Sequence, residues 1–394
     1  MTETTKDIWN DDDGEEKGKK HHRFRSFLIF FLTLTVVLGV VLLAAYRDGT
    51  GFDVLRRYFN YGRVEKVGGD TVYDYDASAS NRFAVLGDRL VVLSSTSLQL
   101  LDESGETVWS TSVKMEAPAI AAGGGRAVAY DVGGKELYLL DENGQLMTLS
   151  AQEGEAFIAA TLNQKGQLAL TAQKKNYKGC VSVYNEKQEK IFEFNSSRRF
   201  VIDAYVTDDG AYLAAVTLGQ ENSVFVSNVV LYDVTKKDPV ADYDVSDGLV
   251  AAIGQQGESI ATVSDTCLTF ADEKGKVLAT YPYNGGYLRE FDLGGDGFSV
   301  LLLNRYQTGS VGRLVTVGAD GAERGTLEVQ QEVLDLAVSG RYLAVLYTDS
   351  LVIYNEELQV YASLKGTDYA KSVLMRPDGS ALLISSESAS LFLP

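Results

Sequence analysis

Beyond His22 the chain contains no histidine, and His21 and His22, its only two, precede a long apolar run. Everything C-terminal to that run therefore lacks a histidine triad, a histidine general base and histidine-ligated zinc. Cysteine is as scarce: Cys180 and Cys267 match neither a zinc module nor a CxxC redox pair. They read as two free, buried thiols in different structural repeats, with a disulfide between them the alternative outside the cytoplasm. The alternating oxygens and closing Glu of an EF-hand loop are missing, so no metal site is expected. Gly123-Gly124-Gly125 and Gly133-Gly134 have no helix after them and so read as hairpin turns rather than a phosphate cradle.

What is present is globular: 394 residues, 45% apolar and 23% charged, with 38 Gly against five Pro. Abundant Tyr, Val and Leu beside many glycines is the balance of short strands joined by tight turns. Residues 27–45 form nineteen positions without a charge, long enough at about 1.5 Å per residue to cross roughly 30 Å of hydrocarbon. The run reads as a transmembrane helix over residues 27–46. A cleaved signal peptide is the competing reading, but Leu43-Ala44-Ala45 fits a small-x-small cleavage site poorly. Lys17, Lys19, Lys20, Arg23 and Arg25 crowd the N-terminal flank, which places the polar tail of residues 1–26 in the cytoplasm and the rest outside. In residues 47–70, GFDVLRRYFNYG is either a plain linker or a short surface-lying helix presenting Phe52, Leu55, Tyr58 and Phe59 on one face.

Thirty basic against forty-seven acidic residues follow residue 46, a net of −17. Such a domain is repelled by nucleic acid, anionic lipid and anionic wall polymers unless a local basic patch intervenes. No nucleic-acid partner is expected.

Within residues 71–394 one nine-residue pattern returns: LQLLDESGE at 98, LYLLDENGQ at 137, VSVYNEKQE at 181, VVLYDVTKK at 229, LTFADEKGK at 268, LVTVGADGA at 314 and LVIYNEELQ at 351. The intervals of 39, 44, 48, 39, 46 and 37 residues suit one four-stranded propeller blade, which hides its faces only by stacking on neighbours. Asp102 to Gly105, Asp141 to Gly144 and Asp272 to Gly275 read as turn formers. Ahead of each of the seven patterns lies an apolar hairpin, the first FAVLGDRLVVLS at 83, and an eighth, VLMRPDGSALLIS at 373, follows the last pattern. The spacing predicts an all-β, eight-bladed β-propeller, with seven blades plus a loose terminal hairpin as the alternative. The chain ends at LFLP with no outer strand for the last unit, so Thr71-Val72-Tyr73-Asp74-Tyr75 is expected to pair with the C-terminal strand and close the ring.

LLDESGETVWS resembles the repeat of pyrroloquinoline-quinone-type propellers, in which Asp, Gly and Trp mark each blade. MRPDGSALLIS and VTDDGAYLAAV resemble the PDG-turn strands of WD40-like propellers. The order of tail, single span and propeller is similar to a bacterial membrane-anchored family, domain of unknown function 5711. That resemblance implies a fold and a location and carries no known activity. Trp109 is the only such Trp in the propeller and the cysteines are not vicinal, so the calcium and quinone site of the dehydrogenases has no counterpart here.

No catalytic residue, metal or cofactor is therefore expected. The carboxylate pairs Asp74 with Asp76, Asp242 with Asp244 and Asp292 with Asp296 are the candidates for glycoside chemistry, and each fits a turn or strand exterior equally well. Three loops between second and third strands are enlarged, at residues 173–180, 218–228 and 304–312. They offer Lys174, Lys175, Tyr177, Arg305 and Tyr306, basic and aromatic groups on an acidic domain, as candidate partner-binding residues. The expectation is a single-pass, extracytoplasmic scaffold for a protein or cell-envelope component. A transmembrane ligand sensor and a glycan-acting enzyme are the alternatives.

Overall fold

The computed structural model describes residues 27–40, 71–221, 223–245 and 248–394. The chain divides into two units, Met1–Asn60 and Tyr61–Pro394. In the first, residues 27–40 are helical, and the apolar side chains from Phe27 to Val40 stand exposed. The hydroxyls of Thr33 and Thr35 donate to the carbonyls of Ile29 and Phe31 at 2.8 Å, which satisfies both within the helix. Among the described residues no helix is long and apolar enough to cross a membrane. The expected tail 1–26, the end of the expected span (41–46) and the segment 47–70 lie outside the described residues.

The second unit is a ring of eight four-stranded antiparallel sheets. Seven blades are consecutive in sequence: Arg82–Ser112, Pro118–Ser150, Ala156–Ser196, Phe200–Asp244, Val250–Pro282, Tyr287–Val329 and Val333–Lys365. Blade eight joins Ser372–Phe392 to β1 (Thr71–Asp74), which pairs with β32 (Ser388–Phe392) through Thr71 to Ser390, Tyr73 to Ala389 and Asp74 to Ser388. The predicted closure holds, and the seven-bladed alternative does not.

Burial explains the sequence pattern. Second strands are sealed on both faces, as in β19 (Ser259–Ser264), β23 (Phe298–Asn304) and β27 (Tyr342–Tyr347), where every residue is buried. Outer strands such as β5 (Thr107–Ser112) face solvent and read Thr, Ser and Trp instead. The core is one apolar cluster per blade junction. Leu336, Val338 and Val345 of blade seven meet Val300 and Leu302 of blade six, and Tyr73, Tyr75, Ile384 and Ala389 of blade eight meet Leu90 and Val92 of blade one. The ring thus has no open junction.

The recurring Asp and Asn residues are turn formers, as expected. Asp102 Oδ1 accepts from the N–H of Ser104 at 2.9 Å and of Glu106 at 3.0 Å, and Asp272 Oδ1 from Lys274 and Lys276 at 2.9 and 2.8 Å. Gly105 and Gly275 take the left-handed turn position with φ of 83° and 75°. Where the repeat lacks that glycine, Gln188 and Leu358 occupy the same conformation at 62° and 58°, a strained choice for side chains with a Cβ. Trp109, the one Trp of the propeller sequence, also has a structural role. Its ring covers the next blade's turn so closely that a Cβ on Gly144 would sit 3.1 Å from Trp109 Cγ.

Candidate functional site

Pairing fixes which loops share a face. First strands begin beside the ends of second strands, as where Phe200 pairs with Leu218 and Tyr287 with Asn304. The blade-to-blade connections and the loops between second and third strands therefore gather at one face of the ring, called here the loop face. The remaining hairpin turns form the opposite, turn face.

The sequence-selected residues lie on the loop face in two places. Lys174, Lys175 and Tyr177 follow β11 (Leu168–Gln173) in blade three, whereas Arg305 and Tyr306 follow β23 in blade six. They do not converge. Lys174 Nζ lies 2.5 Å from Glu193 Oε1, and Lys190 Nζ lies 2.6 Å from Oε2 of the same carboxylate. Two ammonium groups hold Glu193 down to about 2, so Lys174 braces its own blade. Lys175 is exposed and Tyr177 is 44% exposed. Arg305 Nη2 stands 3.6 Å from Glu328, at the rim of a cleft of about 320 Å³ lined also by Tyr283, Asn304 and Arg313. Tyr306 is 63% exposed.

The third region, residues 218–228, is not a loop. β15 (Tyr212–Glu221) and β16 (Val224–Asp233) run ten residues each and pair as far as Glu221 with Val224. They form a hairpin that extends past the first strand's last partner, Leu218, and leaves Val224 63% and Phe225 59% exposed. Polar residues at the tip, Gln220 to Ser223, disguise this continuation in the sequence. Residues beside the hairpin were also missed. Lys178 donates its backbone N–H to Ser196 at 2.7 Å and holds its ammonium 4.5 Å over the ring of Phe200, and Arg198 and Arg199 complete the connection between blades three and four. The run SSRRF before a strand was the available signal.

Members of the three sequence-proposed carboxylate pairs have hydrogen-bond partners within the fold. Asp242 and Asp244 both accept from Asn228 Nδ2, at 3.3 and 2.9 Å, on an outer strand. Asp292 accepts from the N–H of Gly294 and of Val338, each at 2.7 Å. The Asp76 carbonyl accepts from Asn81 Nδ2 at 2.9 Å.

A different set lines the inner strands. β14 (Phe200–Val206), β22 (Tyr287–Asp292) and β26 (Val333–Ser339) each carry a bulge, and the residue just after it is Asp203, Glu290 or Asp335. A bulge re-aims the following side chain, and these acids reach across blade junctions. Asp335 Oδ2 accepts from Val373 N–H at 2.7 Å in the next blade, as Asp292 does from Val338. Asp203 accepts from Ile253 N–H in the same manner. Burial pushes Asp203 up to about 7 and Asp292 up to about 6. Glu290 is raised by burial and by its hydrogen bond to Asp335, and burial raises Asp335 as well. Cys180 and Cys267 are buried free thiols in blades three and five, and burial pushes Cys180 up to about 11. Among the described residues no three His, Cys, Asp or Glu converge as a metal site requires.

Comparison with solved structures agrees on the ring. The C-terminal WD40 domain of Sif2 is similar with a TM-score of 0.60 at 13% identity, over 82% of this chain and 98% of that one. BamB from Moraxella catarrhalis gives 0.52 at 10% identity, over 82% and 99%. The dihydro-heme d1 dehydrogenase NirN gives 0.53 at 13% identity, over 74% and 67%. At such identities the likeness shows the fold alone. No curated protein matches the sequence. A family described as "Family of unknown function (DUF5711)" matches residues 63–363.

Proposed function

The chain belongs to the family of unknown function DUF5711, and from that premise we propose that it is a membrane-anchored scaffold whose propeller binds a protein or cell-envelope component outside the cytoplasm, without catalysis. The observation that carries this reading is the β15–β16 hairpin. Val224 and Phe225 at its tip are large, apolar and mostly exposed, a combination that marks a surface covered by something else. Anchoring is supported by the nineteen uncharged residues 27–45, by the basic flank before them, and by threonine hydroxyls satisfied inside the helix. The absence of catalysis is supported by the inner carboxylates. Asp203, Asp292 and Asp335 each accept a backbone N–H of the adjoining blade, which accounts for their position without a substrate.

Anchoring and orientation are tested together on the full chain carrying a tag at each end. The protein is expected to resist extraction by alkaline carbonate. A membrane-impermeant label should reach the C-terminal tag on intact cells and the N-terminal tag only after lysis. Release by carbonate, or labelling of the N-terminal tag first, overturns this part of the reading.

A further inference from the structure

Charge is distributed unevenly on the propeller. Five of its cations, Lys174, Lys175, Lys178, Arg198 and Arg199, fall within 26 residues of sequence, although acids outnumber bases forty-seven to thirty beyond residue 46. The fold brings these five to one place, because the loop after β11 and the connection from blade three to blade four are joined by the Lys178 to Ser196 hydrogen bond, and Ser196 Oγ donates to the Arg199 carbonyl at 2.6 Å. Acidic groups beside them, among the described residues, include Glu193, bound by Lys174 and Lys190, and Glu153 and Glu155 on the loop that approaches Lys175 through Gly154. Lys175, Lys178 and Arg198 are exposed, as are Tyr177 and the 52% exposed ring of Phe200. The hairpin carrying Val224 and Phe225 rises from the blade whose first strand begins at Phe200.

From this arrangement we infer that the junction of blades three and four is a docking site for an acidic protein segment that also carries aromatic or aliphatic side chains. The inference rests on the scaffold reading above and names the chemistry of the partner. Charge complementarity selects the acidic class. Cations on a domain of opposite overall sign favour an anionic partner narrow enough to meet the patch and avoid the rest of the surface, over a Debye length of about 8 Å in physiological salt. An extended polypeptide meets that condition, whereas a lipid surface brings its charge against more of a domain whose net charge is negative. The apolar groups select between polypeptide and uniform polyanion, because Tyr177, Phe200 and Phe225 offer nothing to a polyphosphate and much to a peptide with side chains of its own.

The test uses the detergent-solubilised full chain and three probes: a labelled peptide of alternating Glu and Tyr, polyphosphate, and phosphatidylglycerol vesicles. Fluorescence anisotropy across salt concentrations should show the peptide binding, weakening as salt rises, and binding more tightly than the other two. The triple reversal Lys175→Glu, Lys178→Glu and Arg198→Glu should weaken the peptide by about tenfold or more, and Phe225→Ser should weaken it further. The control Lys274→Glu with Lys276→Glu, on the turn face, should leave it unchanged. Equal loss from that control, no binding of the peptide, or preference for polyphosphate or vesicles overturns the inference. A photo-crosslinker at Phe225 in cells separates the two readings. An identified protein captured equally by the unreversed and reversed chains keeps the scaffold and removes the acidic-partner inference. No capture by either chain removes both.

Discussion

Tyr73→Ala should be among the most destabilising single substitutions in this protein, costing about 3–5 kcal/mol of the propeller's stability, as loss of a large buried side chain does. Tyr73 is 1% exposed and sits on β1, the strand that completes blade eight. Its ring fills the junction between the last blade and the first, with Tyr75, Leu90 and Ile384. Its hydroxyl donates to the Asp88 carbonyl at 3.0 Å and accepts from Arg376 Nη2 at 3.0 Å, so three parts of the chain distant in sequence meet at one atom. Truncation therefore opens a cavity and also removes a partner from a buried guanidinium. Tyr73→Phe keeps the ring and should cost only about 1–2 kcal/mol. Urea unfolding of the solubilised chain followed by circular dichroism measures both. An alanine variant within about 1 kcal/mol of the parent would mean that β1 does not hold the ring shut, since an open propeller edge would then be tolerated.

Raising the pH from 5 to 9 should destabilise the ring, and Glu290→Gln should abolish part of that loss. In an unfolded chain Asp and Glu release their protons near pH 4. In the folded ring burial lifts Asp203 to about 7 and Asp292 to about 6, and Glu290 is lifted by burial and by Asp335. Between those limits the folded state holds protons that the unfolded state has given up, so stability falls as pH rises. The contribution is complete below about pH 4 and is lost as pH climbs through the folded values. At about 1.36 kcal/mol per pKa unit, Asp203 alone sets a ceiling of about 4 kcal/mol, which the residue's partial exposure lowers. Glutamine at 290 replaces the acid by an amide that donates to Asp335 without a charge of its own. The variant's melting temperature should exceed the parent's at pH 8 by roughly 2 °C or more for each kcal/mol recovered, and should match it near pH 5. Equal destabilisation at both pH values would show that Glu290 and Asp335 are not in repulsion.

The ring was legible because its physics repeats. Eight hairpins, seven third-strand patterns and a spare strand at Thr71 count the blades and demand closure, and Asp102 and Asp272 declare their turns through side-chain acceptors placed two and four residues ahead of the amides they bind. The site was legible only in part. Enlarged loops were visible as length, yet length does not say whether a segment is coil or strand. Residues 218–228, the far end of the hairpin from Tyr212 to Asp233, looked like a loop because polar residues sit at its tip. The inner acids were hidden for a different reason. Asp203, Glu290 and Asp335 stand in FVIDAYV, YLREFD and VLDLAVS, where an acid inside an apolar strand was the only sign of a bulge that one sequence does not otherwise announce. Lys178 and Arg198 lie twenty residues apart and become neighbours only through the turn of one blade into the next.

That the loop face is the working surface is tested most directly by site-specific photo-crosslinking in intact cells, with the reactive residue at Phe225 or Lys178 on the loop face and at Glu258 or Lys274 on the turn face. Adducts to one defined partner from the first two positions, and none from the second two, are predicted. The same adduct from the turn face, or none from Phe225 and Lys178, would contradict the account.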